Sequence, residues 1–162
     1  MLKDKTILIT GASNGLGRAW AEKFNEEGAK VFAMDIEPTG LDLLKNKGIE
    51  ICLGDVSVPQ EVKYFVETAF ESTGALDVVF NNAGMGFGHR VDNFPDGKFE
   101  HHVSVHLFGT IYGMRYALPL MQKQGYGRIV NTISRNAEAD QEGTSAYAAA
   151  KAAIWSASRV AA

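Results

Sequence analysis

The 162-residue chain has little of what several protein classes depend on. It has one cysteine, Cys52, which excludes a disulfide scaffold and predicts a reducing compartment, the cytoplasm. It has no basic excess, since 16 lysines and arginines stand against 19 acidic residues, and a nucleic-acid partner is therefore not expected. It has no run of the roughly 20 apolar residues that a membrane-spanning helix needs, so we expect no membrane association.

What is present is the composition of one folded domain. Hydrophobic residues account for 46% of the chain and charged residues for 22%, as in ordinary globular proteins. A chain of this length buries roughly 70% of the surface that it exposes when unfolded, which suffices without a disulfide or a metal. We therefore predict a single domain over residues 1–162.

Short apolar segments alternate with longer amphipathic ones along the chain. The short segments predict five strands, at residues 6–10, 30–34, 50–53, 76–80 and 128–133. The longer ones predict helices, at residues 14–27, 41–46, 62–70 and 97–124, with a last helix from about residue 144. Crossovers of this length join parallel strands, so the pattern predicts a doubly wound α/β fold with helices on both faces of the sheet. Pro119 is expected to interrupt the long helix.

A glycine-rich turn follows the first strand, in the segment Thr10-Gly11-Ala12-Ser13-Asn14-Gly15-Leu16-Gly17. Its glycines permit a tight turn and a close approach of the backbone to a ligand. The helix that follows offers unpaired N–H groups and a positive dipole end to a phosphate. Such a turn can also bind nothing, but the order strand, turn, helix favours a dinucleotide-binding site.

An acidic residue, Asp35, ends the second strand 18 residues after Gly17. A carboxylate at this place can accept hydrogen bonds from both ribose hydroxyls of an adenosine and repel a 2′-phosphate, which favours NAD over NADP. Asn14 and Ile36 add no cationic side chain that a 2′-phosphate would need. The alternative interpretation is a solvated aspartate at the end of a strand.

Polar residues also follow the third and fourth strands. Asp55 and Val56 follow the third, and the run Asn81-Asn82-Ala83-Gly84 follows the fourth. Both lie at the carboxyl edge of the predicted sheet, where doubly wound folds bind ligands. A turn-forming aspartate and asparagines that satisfy loop backbone groups are equally acceptable interpretations.

A tyrosine and a lysine, Tyr147 and Lys151, share one face of the last helix because they are four residues apart. A phenol has a pKa of about 10, and a nearby ammonium favours its ionised form. The pair is therefore a candidate proton donor and acceptor for an alcohol or a carbonyl, and Ser134 can hydrogen-bond the reacting oxygen. Taken alone, such a pair also occurs by chance on many helix surfaces.

In this order and spacing, the motifs together resemble the short-chain dehydrogenase/reductase family, over the whole length of the chain. The resemblance implies a Rossmann fold and an NAD(P)-dependent oxidoreductase that acts on a small alcohol or carbonyl substrate. It implies a catalytic set of Ser134, Tyr147 and Lys151, in which the tyrosine is the acid and base. It also implies a cofactor site formed by Gly11, Ser13, Asn14, Gly15, Leu16, Gly17, Asp35, Asp55, Val56, Asn82, Ala83, Gly84, Tyr147 and Lys151.

One departure from the family concerns His106, which stands where members often carry an asparagine that holds a water in a proton relay to the lysine. We expect His106 either to be a packed helix residue or to join the relay as a fourth catalytic group. In the relay, a histidine would add an ionisation near pH 6 to 7.

A second departure is length, because the chain ends within the helix of Tyr147 and Lys151 whereas family members usually continue. If the chain is complete, its fifth strand lies at a sheet edge that invites pairing with another chain, and we expect a homo-oligomer. The alternative is a fragment of a longer polypeptide.

Three functions follow from these observations. The first is an NAD-dependent dehydrogenase, the second a dinucleotide-binding protein without turnover, and the third a scaffold whose edge strand docks a partner. A polar loop after Ser134 lies where a substrate would enter, although such runs are commonly solvated; its charged residues are Arg135, Glu138, Asp140 and Glu142.

Overall fold

The computed structural model describes residues 2–86, 88–139 and 141–162. In these residues the strands are β1 (Thr6–Thr10), β2 (Lys30–Asp35), β3 (Glu50–Leu53), β4 (Val78–Asn81) and β5 (Arg128–Asn131). The α-helices are α1 (Gly15–Glu26), α2 (Pro38–Lys45), α3 (Pro59–Thr73), α4 (Lys98–Val103), α5 (Gly109–Gln124) and α6 (Ser145–Ala161).

The five strands form one parallel sheet in the order β3-β2-β1-β4-β5. The chain runs outward from β1 to β3 on one side and then continues through β4 to β5 on the other. The order therefore reverses between β1 and β4, and a crevice opens there at the carboxyl edge of the sheet. The doubly wound α/β fold that the sequence predicts is confirmed.

Two hydrophobic layers cover the sheet, and the alternation of side chains along β1 supplies both. Leu8 packs in the layer beneath α3 and α5, whereas Ile7 and Ile9 pack in the layer beneath α1 and α2. All three are at most 1% exposed. Each such side chain stabilises the fold by about 1.5–3 kcal/mol relative to an exposed one. A strand buried on both faces is apolar throughout, which is why its short run was recognisable in the sequence.

The long helix predicted over residues 97–124 differs from expectation. It is divided by a π-helical turn at Ser104–Phe108, which separates α4 from α5, whereas Pro119 lies inside α5 without ending it. Pro119 is exposed, so its missing N–H leaves only one solvent-facing carbonyl without its helical bond. The expected interruption at Pro119 is therefore wrong, and the real irregularity lies at His106.

The last strand, β5, lies at one edge of the sheet that the described residues form, as the sequence predicts. Val130 on this strand is 40% exposed and Ile133 just beyond it is 46% exposed. Self-association through this edge stays a prediction. Among the described residues, no helix is long and apolar enough to cross a membrane.

Helix α5 lies so close to β4 that the contact requires a glycine. A Cβ at Gly113 would lie 1.9 Å from the Asn81 Oδ1 atom. We expect Gly113→Ala to lower the free energy of unfolding by about 1–3 kcal/mol, because Asn81 must move. Urea unfolding measures the change. Gly86→Ala is the control, since an added Cβ there meets no described atom within 4 Å; equal losses in the two variants would contradict the prediction.

Candidate active site

The glycine turn joins β1 to α1 with very little space. Gly11 has φ +68° and Gly15 has φ +53°, a region that favours glycine. A Cβ at Gly11 would lie 2.6 Å from the Cα of Ala83, and one at Gly17 would lie 2.0 Å from the carbonyl oxygen of Gly11. Asn14 precedes α1 without capping it through its side chain, so the N–H groups of the first helical turn stay available to a ligand.

Asp35 is held at the end of β2 by two backbone donors. The Ser13 N–H donates to one carboxylate oxygen at 2.8 Å and the Glu37 N–H to the other at 3.0 Å. The Ser13 hydroxyl in turn donates to the Glu37 carbonyl at 2.5 Å. Asp35 therefore orients the glycine turn, and the remaining lone pairs of its carboxylate can accept from ribose hydroxyls.

Glu37 caps α2, and this fixes the position of Asp35 further. Its carboxylate accepts from the N–H groups of Thr39 and Gly40 at 2.9 and 2.8 Å. The hydrogen bond from the Gly40 N–H, followed by those from Thr39, lowers the pKa of Glu37 below its ordinary value. An anion at the start of a helix also faces the positive end of the helix dipole.

Asn82 ties three strands together at the crevice. Its side-chain NH₂ donates to the carbonyls of Thr10 and Gly11 at 3.1 and 3.2 Å, and its Oδ1 accepts from the Thr132 hydroxyl at 3.2 Å. The Thr10 hydroxyl oxygen accepts from the N–H groups of Asn82 and Ala83, both at 3.1 Å. These bonds explain why polar residues follow β4 and show that they have a structural task.

A cleft of about 420 Å³ opens where these strands end. Most of the residues that the sequence predicts for a cofactor line this cleft; the exceptions are Ser13, Gly17, Tyr147 and Lys151. The predicted residues in its lining are Gly11, Asn14, Gly15, Leu16, Asp35, Asp55, Val56, Asn82, Ala83 and Gly84. Asp55 also accepts from the Ser57 N–H at 2.8 Å, so it forms a turn as well.

Sequence reasoning did not assign several lining residues to the site. Gly54 and Met85 directly flank predicted residues and Glu37 lies two residues after Asp35, so their place in the chain was a sufficient signal. His101 and Val105 come from α4 and the π-helical turn, far away in sequence. Only the packing of that segment against the loop after β4, where His106 contacts Gly84 and Met85, brings them to the cleft.

Tyr147 and Lys151 line a second cavity of about 410 Å³, which has Asn82, Gly84 and Met85 in common with the cleft. The Lys151 Nζ lies 5.6 Å from the centre of the Tyr147 ring and donates to the Thr132 carbonyl at 2.6 Å. Lys151 is only 3% exposed. Burial lowers the pKa of its ammonium to about 8, because water no longer solvates the charge.

His106 also lines this second cavity, with 2% of its surface exposed. Its ring meets the Tyr147 ring edge-on at 5.2 Å between centroids. Burial, followed by the charge of Lys151, lowers the pKa of His106 to about 4. An ionisation of His106 near pH 6 to 7 does not agree with this lowered pKa, and burial of the ring agrees with the packed interpretation. Membership of His106 in a proton relay stays a prediction.

Ser134 is not among the described residues that line the cavity of Tyr147. Its hydroxyl accepts from the Asn136 N–H at 3.2 Å and begins a short 3₁₀ turn at Arg135–Ala137. Asn136, which the sequence did not single out, lines the cavity instead. In the polar loop, Glu142 pairs with Arg90, and Asp140 lies outside the described residues.

Comparison with known proteins gives one consistent family. The model of the short chain dehydrogenase family matches residues 5–162. Levodione reductase of Leifsonia aquatica is 36% identical over 157 residues, which cover 91% of this chain and 59% of that protein. An uncharacterized oxidoreductase of Bacillus subtilis, YxbG, is 38% identical over 94% of this chain and 58% of its own length. The chain thus spans about three fifths of these relatives.

Solved structures agree with the sequence relatives. The crystal structure of levodione reductase superposes with a TM-score of 0.92 and 34% identity, over 99% of this chain and 66% of that one. A short-chain dehydrogenase/reductase from Burkholderia phymatum in complex with NAD gives 0.91 and 31%, over 98% and 59%. NAD⁺-bound xylitol dehydrogenase gives 0.92 and 29%, over 99% and 65%.

Because Lys151 carries a buried charge, we predict that it lowers the free energy of unfolding of the protein. Lys151→Met removes the charge and keeps the chain length, so we expect it to raise the free energy of unfolding at pH 7 by about 1–3 kcal/mol. The gain should shrink as the pH rises from about 8 towards 10.5, because the unfolded state then binds a proton that folded Lys151 has already lost.

Urea unfolding at pH 7, 9 and 10.5 measures this effect. Lys63→Met is the matched control, because Lys63 is 53% exposed and pairs only with Glu67 one turn away among the described residues. A Lys151→Met protein that is less stable at every pH would contradict the prediction.

Proposed function

Because the chain belongs to the short-chain dehydrogenase family, we propose that it forms the cofactor-binding and proton-transferring part of an NAD-dependent oxidoreductase. The substrate is an alcohol or a carbonyl compound. The observation that carries the proposal is that Asn82, Gly84 and Met85 belong to both cavities. A ligand that fills the cleft therefore reaches the cavity of Tyr147 and Lys151.

The cleft fits a dinucleotide. At Gly15 an added Cβ would meet no described atom within 4 Å, so the turn is open there and, without a side chain, lets a phosphate approach the backbone closely. The N-terminus of α1 would hold the pyrophosphate, and Asp35 would hold the adenosine ribose. Leu16 and Ile36 at the mouth are 61% and 68% exposed, which gives a flat base two apolar walls.

The charge of the cleft favours NAD over NADP. Asp35 presents a carboxylate next to the place where a 2′-phosphate would lie, and two neighbouring anions repel each other. Among the described residues that line the cleft, none is a lysine or an arginine. The two NAD-bound relatives of similar structure support this choice.

We assign the transfer of the proton of the substrate oxygen to Tyr147. A bound nicotinamide supplies the hydride chemistry. The hydroxyl of Tyr147 gives or takes the proton of the substrate oxygen, and the Lys151 ammonium at 5.6 Å from the ring stabilises the negative charge that develops on the tyrosine oxygen. Ser134 is assigned to the substrate oxygen, for which its hydroxyl would leave the Asn136 N–H.

A dinucleotide-binding protein without turnover is the second candidate. It is favoured by the engagement of Ser134 in a turn, outside the described lining of the cavity of Tyr147. Both candidates bind the dinucleotide, so they differ only in turnover.

A parallel titration with NADH and NADPH, followed by cofactor fluorescence, tests the binding part. We expect saturable binding that is about tenfold tighter for NADH, because Asp35 repels the 2′-phosphate. Asp35→Asn should narrow this preference, whereas Asp42→Asn on α2 is a control that should not change it. Equal or tighter binding of NADPH to the unchanged protein would contradict the assignment.

Turnover is tested with Tyr147→Phe, which removes only the hydroxyl. We expect NADH binding to persist and oxidation or reduction to fall by about 10²–10⁴-fold, the usual contribution of a general acid or base. Levodione and xylitol, the compounds named for two relatives, are the first substrates to try, with NADH absorbance as the readout. Unchanged turnover in Tyr147→Phe would contradict the role. Binding of NADH without turnover on a broad panel would favour the second candidate.

A further inference from the structure

Two residues, Gly84 and Met85, form a wall between the cleft and the cavity of Tyr147, because they line both. His106 supports this wall from inside the protein. A Cβ at Gly84 would lie 2.5 Å from the Cε1 atom of His106, so the imidazole packs directly on the Gly84 backbone. The same ring meets Tyr147 at 5.2 Å between centroids. His106 therefore contacts both the wall and the proposed acid and base.

One nitrogen of His106 faces two groups of the same residue. The Nε2 atom lies 3.1 Å from the Met85 N and 2.9 Å from the Met85 O. A nitrogen of a neutral imidazole either carries a hydrogen and donates or has a lone pair and accepts. The two hydrogen bonds to Met85 therefore exclude each other.

The other ring nitrogen of His106, Nδ1, does not favour one of these two hydrogen bonds over the other. The tautomer of a histidine is usually set by the hydrogen bond that its other nitrogen makes. The Nδ1 atom of His106 is buried and has no hydrogen-bond partner among the described residues. Neither tautomer is therefore selected by a further bond. With Nε2 protonated, the ring binds the Met85 carbonyl; with Nδ1 protonated, it binds the Met85 N–H and releases the carbonyl.

We propose that His106 is a positioning residue that holds the Met85 main chain by one of these hydrogen bonds at a time, and that a dinucleotide in the cleft selects one of the two states. The second clause rests on the proposed function and the first does not. A ligand shifts such an equilibrium only when it interacts differently with the two states. A dinucleotide meets this condition, because Met85 is part of the wall of the cleft and presents a free carbonyl in only one state.

Burial of the His106 ring and the charge of Lys151 keep the ring in the neutral form that the proposal needs. Lys151 and Tyr147 face it from α6, and His102 stacks on it from α4 at 5.9 Å between centroids. Burial of the ring, followed by the positive charge of Lys151, disfavours a positive charge on the imidazole and lowers the pKa of His106. At pH 7 the ring therefore has one N–H, whose hydrogen can be on either Nδ1 or Nε2.

The first experiment observes the histidine ring itself in the full chain labelled with ¹⁵N-histidine at pH 7. We expect His106 ring nitrogens with resonances between those of the two pure tautomers, which move towards one tautomer when NADH is added. The same single tautomer with and without NADH would overturn the two-state part of the proposal.

The second experiment compares His106→Gln with His106→Asn by amide hydrogen exchange at Met85. Both side chains present a donor and an acceptor, but the glutamine amide is four bonds from Cα, like Nε2, and the asparagine amide is three bonds away, like Nδ1. Glutamine can therefore serve the Met85 N–H and carbonyl together. We expect exchange at Met85 to be roughly tenfold slower in the glutamine variant than in the asparagine variant. Equal exchange in the two would overturn the positioning role.

A control separates this role from burial alone. His102→Gln changes a neighbouring histidine that is 1% exposed, and we expect it to leave exchange at Met85 unchanged. The exchange measurements use the protein without any ligand, so they decide the positioning role even if NADH fails to bind. Failure of NADH binding with the expected exchange pattern would refute the proposed function and the selection by a dinucleotide, and would leave the positioning role supported.

Discussion

The close approach of the carboxyl ends of β1 and β4 is the constraint on which the rest of this structure depends. The Gly11 backbone touches Ala83 so closely that a methyl group does not fit between them, and Asn82 donates to the carbonyls of Thr10 and Gly11. Backbone packing and side-chain hydrogen bonds thus act on the same few atoms. Because the strand order reverses at this point, the contact also defines the crevice from which the cleft opens.

Hydrogen bonds connect this contact to the residues of both cavities. Asn82 lines the cleft and the cavity of Tyr147, and its Oδ1 accepts from the Thr132 hydroxyl after β5. The carbonyl of Thr132 in turn accepts from Lys151, so the ammonium is held by the strand that Asn82 anchors. The arrangement buries Lys151. We expect this burial to lower the free energy of unfolding, and it fixes a charge beside Tyr147.

Much of this could be predicted from local pattern. The strand at Thr6–Thr10 was predicted with its exact ends because a run buried on both faces is apolar, and Asp35 was placed at the cleft because strand ends meet at one edge. The irregularity in the long helix over residues 97–124 could not be predicted. Pro119 looked like the break because proline removes a helical bond, but the π-helical turn at Ser104–Phe108 has no residue that marks it.

The sequence by itself determined the layer order, the glycine turn and which residues lie at the carboxyl edge, because these follow from periodicity and from the conformational freedom of glycine, which act over a few residues. The tertiary structure alone decided which side chains meet there. It placed Asn136 rather than Ser134 in the cavity of Tyr147, and it set His106 against Met85. Those contacts join segments that are distant along the chain, and their geometry depends on how helices and loops pack on the finished sheet.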